Sequence, residues 1–266
     1  YRIALSIAGS DPSGGAGIQA DVKTFSACVC YGATAIVAVV DENTVGVTGV
    51  HPVPVSFVTG QIKSVLDDIG ADAIKIGMLH SSELIVAVRD TLSKYKIRNI
   101  VFDPVMVATS GDKLLQDEAI TTLKNELIPF VRVITPNIPE AEILLGKKIA
   151  TQEDLPLVVK SLSVGGTVSV LLKAGHLSNE ELTDVFYNAE TDEIIKLSSK
   201  RVHTKNTHGT GCTFSSAITA FLAHDKSLNE SIRLAKEYIN QTIVTGAAYE
   251  IGKGHGPVHH FFNFWE

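Results

Sequence analysis

The chain has 266 residues, 45% hydrophobic, 20% charged and 6% aromatic, with a formal net charge of −6. No composition break, linker, repeat or low-complexity segment divides it, so residues 1–266 read as a single domain. The acidic balance argues against nucleic acid or an anionic membrane as partner, no apolar run approaches the roughly 20 residues of a spanning helix, and three cysteines that form neither a disulfide framework nor a zinc pattern suit a reducing, cytoplasmic setting.

Arg2 to Ala8 is a short apolar run that ends at Gly9-Ser10-Asp11-Pro12-Ser13-Gly14-Gly15-Ala16-Gly17, and a helix is expected from about Gly17 to Cys28. The loop between them lacks the Walker A and GxGxxG patterns, but its glycines let a ligand approach the backbone. Ala33 to Val40 reads as one buried strand ending at Asp41-Glu42-Asn43-Thr44. Val58, Ile62, Val65, Leu66 and Ile69 recur at helical spacing, as do Ile85, Val88, Leu92 and Tyr95. Strands are predicted at Ala73 to Ile76, Asn99 to Phe102, Val131 to Ile134 and Val168 to Leu172. Helices are predicted near Asp117 to Leu127 after a Gly111-Asp112 turn, and at Glu140 to Leu145 and Glu153 to Leu162. Asp184 to Tyr187, Glu193 to Leu197 and Lys200 to Thr204 alternate without intervening helices and read as antiparallel edge strands. A long last helix runs from Leu228 to about Thr245. Alternating buried strands and amphipathic helices predict an α/β fold with a largely parallel sheet.

The residue just past each strand is Gly, polar or charged: Gly9, Glu42, Gly77, Asp103, Asn137 and Lys173. Ligands of open parallel sheets bind outside those strand ends, so these residues can converge. Singly, Asp103 could form a turn, Asn137 could cap a helix, Glu140 could be a solvated first-turn residue and Met78 a core residue. Together, acceptors and a cation on one rim suit phosphoryl transfer with a metal.

Asn206-Thr207-His208-Gly209-Thr210-Gly211-Cys212-Thr213 precedes a helix marked by Phe214, Ala217, Ile218, Phe221 and Leu222. Gly-Thr-Gly-Cys reads as a backbone anion cup on a helix N-terminus, with Thr210 and Thr213 able to cap its first turn. Cys212 is either a thiol with a lowered pKa at that N-terminus or a small buried residue. His208 can touch phosphate or make an ordinary loop hydrogen bond, and His255, His259 and His260 lack metal-binding spacing.

The segments Gly9 to Asp21, Lys75 to Leu79, Asp103 to Val107, Thr135 to Ala141, Asn206 to Thr213 and Gly254 to Phe261 resemble the hydroxymethylpyrimidine and phosphomethylpyrimidine kinases of thiamine biosynthesis, within the ribokinase superfamily. The resemblance covers essentially the whole chain. It implies a ribokinase-like domain with helices on both faces of the sheet, ATP and Mg²⁺ as cofactors, and a homodimer. The substrates it implies are 4-amino-5-hydroxymethyl-2-methylpyrimidine and its monophosphate. By motif position, Gly9, Asp21, Val40, Glu42, Met78 and Val105 would line the pyrimidine pocket. Asp103, Asn137, Lys173, Thr210 and Lys236 would meet ATP, and Asn137 with Glu140 would serve the metal. Gly209 and Gly211 would form the anion hole, with Cys212 where ribokinase itself has an aspartate base.

One departure is Glu42, where the family commonly has Gln. A Gln amide donates and accepts toward an aminopyrimidine edge, whereas an ionised Glu only accepts. A missing buried hydrogen bond costs roughly 1–3 kcal/mol, enough to shift substrate preference. A vitamin B6 kinase acting on pyridoxine or pyridoxal is therefore the second expectation. A pyrimidine-binding sensor without catalysis is the third.

Overall fold

A computed structural model of the chain describes residues 1–106, 115, 117–177 and 179–265. The expected turn at Gly111-Asp112 and the motif residue Val107 lie outside the described residues. The elements in order are β1 (Arg2–Ala8), α1 (Gly17–Ala27), β2 (Cys30–Ile36), β3 (Ala38–Asn43), β4 (Gly46–Pro52), α2 (Val55–Asp68), β5 (Ala73–Ile76), α3 (Ser82–Leu92), β6 (Ile100–Phe102), α4 (Asp117–Thr122), β7 (Val133–Ile134), α5 (Ile138–Leu145), α6 (Leu155–Leu162), β8 (Ser169–Leu172), β9 (Glu181–Asn188), β10 (Glu193–Lys200), α7 (Thr210–Ala223) and α8 (Leu228–Gly246).

Eight strands form one sheet in the order β10-β9-β8-β7-β6-β5-β1-β2. The run from β8 to β2 is parallel, and β9 and β10 add antiparallel at one edge. Because successive side chains point to opposite faces, the strands feed two cores. Leu5, Ile7, Ile74, Ile76, Phe102, Ile134 and Leu172 pack with Val58, Ile62, Leu84, Val88 and Val159 of α2, α3 and α6. Ala4, Ala73, Val101, Val133, Leu171 and Phe186 pack with Phe25, Phe214, Ile218, Ile232 and Ile239 of α1, α7 and α8. Both faces are thus covered by helices, which is why the strands read as continuous apolar runs.

Two local expectations are corrected. The strand expected over Ala33 to Val40 is two strands: β2 ends at Ile36, the Val37 N–H donates to the Ala8 carbonyl at 3.0 Å, and β3 leaves the main sheet. It pairs antiparallel with β4, with an irregularity between Asp41 and Glu42. Val37, Ala38 and Val40 remain buried through this break, so the apolar run does not record it. Of the third edge segment, only Lys200 belongs to a strand. After the Arg201 N–H meets the Glu180 carbonyl at 2.8 Å, the chain leaves the sheet toward Asn206.

Candidate active site

The polar residues past the strands form a row in sheet order. Lys173 follows β8, Asn137 follows β7, Asp103 follows β6, Met78 follows β5 and Gly9 follows β1. Four strand spacings span about 19 Å. Helix α7 and the hairpin β3–β4 contribute the remaining groups.

At the β8–β6 end, Lys173 Nζ donates to Asp103 Oδ1 at 2.9 Å. The same carboxylate accepts from Thr135 Oγ1 at 2.9 Å and Ser215 Oγ at 3.2 Å. Burial would raise the Asp103 pKa, but the Lys173 and Lys75 charges and these bonds hold it low. Burial would likewise lower Lys173, and Asp103 and Glu140 raise it instead. Asn137 and Glu140 form a capping box at the start of α5: Asn137 Oδ1 accepts the Glu140 N–H at 2.9 Å, and Glu140 Oε2 accepts the Asn137 N–H at 2.8 Å. Glu140 is not a solvated residue but 3% exposed, and burial pushes its carboxyl up to about 7 against the pull of Lys173. A Cβ on Gly211 would sit 3.2 Å from Lys173 Nζ and 3.5 Å from Asp103 Oδ2, which places the cup directly over this ion pair.

Helix α7 starts one turn earlier than its apolar spacing shows, at Thr210. Gly209 precedes it at φ +76°, and a Cβ there would fall 1.7 Å from the Gly15 carbonyl, so the two glycine-rich loops touch backbone to backbone. Neither threonine caps the helix: Thr210 Oγ1 donates to the Thr207 carbonyl and Thr213 Oγ1 bonds His260 Nε2. The N–H groups of Gly211 and Cys212, which have no partner inside the helix, therefore remain for an anion. Cys212 is partly exposed. Its expected low pKa is corrected. Burial pushes the thiol up to about 11, and the nearby carboxylates of Asp21 and Asp103 add to this, outweighing the Lys75 charge and the N–H of Gly17.

At the β1 end, a Cβ on Gly9 would meet Met78 Cε at 3.2 Å and Val40 Cγ2 at 3.7 Å, so these three line one apolar wall. Val105 is half-buried just past Asp103. Glu42 lies on β3 with its Oε1 4.0 Å from His208 Nε2. His208 in turn bonds Asp11 Oδ2 at 2.8 Å. Asp11 also accepts the N–H groups of Ser13, Gly15 and Ala16. Burial would raise Asp11, but the His208 bond and these backbone donors hold it well below the carboxylate range. Burial would lower His208, and Asp11 and Glu42 raise it. Asp21 lies beneath the wall rather than in it, fully buried against Lys75. Lys236 bonds Asp184 Oδ2 at 2.7 Å, and Asp184 Oδ1 accepts the Ala174 N–H at 2.7 Å, beside Lys173.

Three groups escaped the reading of the residues. Asp11 sat in what looked like a turn, and its partner is 197 residues away. Ser215 looked like an ordinary helix residue. Lys75 carried a usable signal, since a lysine in the middle of an apolar strand is almost never buried without a partner.

The phosphomethylpyrimidine kinase family model matches residues 11–259. A hydroxymethylpyrimidine/phosphomethylpyrimidine kinase of Rhizobium meliloti is 46% identical over 99% of this chain and 98% of its own. The crystal structure of a phosphomethylpyrimidine kinase from Clostridium difficile has a TM-score of 0.80 at 42% identity, covering 91% of this chain and all of the other. The pyridoxal kinase from Staphylococcus aureus in complex with AMP-PCP and pyridoxal has a TM-score of 0.89 at 32% identity, covering 99% of this chain and 94% of the other.

Proposed function

The chain belongs to the phosphomethylpyrimidine kinase family, and from that premise we propose that it phosphorylates 4-amino-5-hydroxymethyl-2-methylpyrimidine and then its monophosphate, with ATP as donor. The observation that carries this reading is the row at the strand ends. A phosphate-handling group of Lys173, Asp103 and the Gly211 N–H stands at one end, and the apolar wall of Gly9, Val40 and Met78 at the other.

In this reading the Lys173 ammonium and the N–H groups of Gly211 and Cys212 face the transferring phosphoryl oxygens, where charge gathers during transfer. Asn137, Thr210 and Lys236 complete the nucleotide side. Val105 and Glu42 flank the ring, with Asp21 supporting it from below. Cys212 receives the substrate hydroxyl's proton after giving its own to solvent. The oxygen–phosphorus bond to the substrate forms as the β,γ-bridging bond breaks, and ADP leaves with that electron pair. The buried carboxylates of Asp103 and Glu140 are the hard oxygen donors that Mg²⁺ takes together with nucleotide phosphates, so the residues present fit the ion. Bound there, it would neutralise phosphate charge.

Among the described residues no helix is long and apolar enough to cross a membrane. Three free thiols suit a reducing cytoplasm. We place the active form as a homodimer, with the hairpin β3–β4 as the contact element, since its Val39 is 52% exposed.

ATP consumption with the aminopyrimidine, its monophosphate and pyridoxal as separate substrates tests the reading. Turnover of both pyrimidines is the expected result. Turnover of pyridoxal alone would move the chain to the vitamin B6 reading, which Glu42 and the likeness to a pyridoxal kinase favour. Tight binding of the pyrimidine without turnover would leave a sensor.

A further inference from the structure

Below Cys212 lies a charged pair that touches neither the nucleotide side nor the apolar wall. Lys75 and Asp21 are both 0% exposed. Lys75 Nζ donates to both Asp21 oxygens at 2.8 Å. Asp21 also accepts from Ser6 Oγ at 2.5 Å and Ser216 Oγ at 2.7 Å, so its acceptor capacity is filled. The ammonium is not matched in the same way. It has three donors, and its third N–H finds no acceptor among the described residues. A Cβ on Gly77 would come 3.2 Å from that nitrogen, which puts it at the end of β5, on the floor of the cleft.

Ser216 and Cys212 are four residues apart on α7, hence neighbours on one face of the helix. The Ser216 bond to Asp21 therefore holds Cys212 over the pair. From the side, α1 begins at Gly17, whose N–H donates to the Cys212 sulfur. Gly17 has φ +55°, and a Cβ there would strike the Gly9 carbonyl at 2.5 Å, so this close approach requires glycine.

We propose that Lys75, anchored by Asp21, and the Gly17 N–H together form the seat of the Cys212 thiolate, and that Lys75 is a positioning residue for proton transfer from the substrate hydroxyl. This rests on the reading of Cys212 as proton acceptor. The charged groups around the sulfur come from four elements: Lys75 at the end of β5, Asp21 on α1, Asp103 after β6 and Lys173 after β8. The carboxylates oppose the thiolate and the ammoniums favour it. Lys75 outweighs Asp21 because Asp21 is saturated by hydroxyl and ammonium donors while Lys75 keeps a donor toward the cleft.

Alkylation of Cys212 by iodoacetamide, followed by mass spectrometry from pH 7.5 to 9.5, tests the seat without requiring kinase activity. Cys28 and Cys30 are buried with their thiols pushed up to about 12 and about 11, and serve as internal controls. Lys75→Met alone would strand a buried carboxylate and can fail to fold. The deciding protein is the charge-neutral double variant Asp21→Asn/Lys75→Met, since replacing both members of a buried pair is often tolerated. Alkylation of Cys212 should be about tenfold slower than in wild type at each pH, one unit of thiol pKa, and transfer should slow in parallel. An equal or faster alkylation rate overturns the seat, whatever the kinase rate. Slowed alkylation with unchanged transfer keeps the seat and removes Cys212 from catalysis.

Discussion

His208 Nε2 stands 2.8 Å from Asp11 Oδ2, and this contact ties the loop after β1 to the segment before α7. Both side chains are buried, 5% and 1% exposed. Breaking such a pair from one side costs about 3–5 kcal/mol, and His208→Ala should fall near about 3 because Asp11 keeps its backbone donors. Asp11 is depressed, so its contribution is present above the ordinary value of 3.8 and lost as pH falls. His208 is raised, so its contribution is complete below 6.5 and lost as pH rises through the folded value. The gap in urea midpoint between wild type and variant should therefore be widest between pH 3.8 and 6.5. A gap that grows steadily toward pH 9 would show that the pair is not ionic.

Glu140 titrates near 7, within the working range of the enzyme. A metal needs the carboxylate form, so a proton competes with Mg²⁺ below that value. The Mg²⁺ concentration for half-maximal rate should rise by roughly tenfold per pH unit below about 7 and level off above 8. Glu140→Gln should raise the requirement, remove its pH dependence and leave pyrimidine affinity unchanged. Mg²⁺ titrations of the initial rate at pH 6, 7 and 8 measure this. Identical curves for wild type at pH 6 and 8 would confine Glu140 to its capping role at α5.

Much of this geometry is legible in the chain before any coordinates, for a definite reason. Strands buried on both faces are apolar throughout, so Asp103, Asn137 and Lys173 stand out at their ends, and sheet order then brings them together. What stays hidden depends on long-range partners. Val37 to Val40 is as apolar as β2, and only pairing with Gly46–Pro52 reveals a hairpin. The helix dipole at Cys212 is readable, but the burial and the carboxylates that overturn its effect come from α1 and β6.

Glu42 faces the same cleft side of the hairpin as Val40, two residues away. Substituting Gln supplies the donor that an aminopyrimidine edge can use. Glu42→Gln should tighten pyrimidine binding at pH 8 by about 1 kcal/mol, one hydrogen bond, and by less at pH 6, where a proton is easier to share. It also removes the carboxylate 4.0 Å from His208. Titration calorimetry at the two pH values separates the outcomes. Equal affinities at both would place Glu42 away from the ring.

Cys212 is the residue on which the chemistry can be tested most sharply, because its thiol stands at about 11. If its thiolate accepts the hydroxyl proton, only a small fraction of enzyme is competent at neutral pH. The transfer rate should then climb about tenfold per pH unit from 7 to 9, in step with the thiolate fraction. Loss of a general base costs about 10²–10⁴ in rate, so Cys212→Ala should fall in that range with little change in pyrimidine affinity, and its rate should be flat in pH. Cys212→Ser should be nearly as slow, since an unassisted hydroxyl does not ionise there. Cys212→Asp should recover part of the rate and lose the steep dependence, because a carboxylate beside Lys75 and the Gly17 N–H ionises well below 7. Phosphoryl transfer through a loose transition state asks little of a base, and on that view the alanine variant stays within about threefold of wild type, far short of the base range. Single-turnover rates of the four proteins from pH 6.5 to 9 decide between the two: a fast alanine variant together with a flat wild-type profile would reduce Cys212 to a small residue at a helix start.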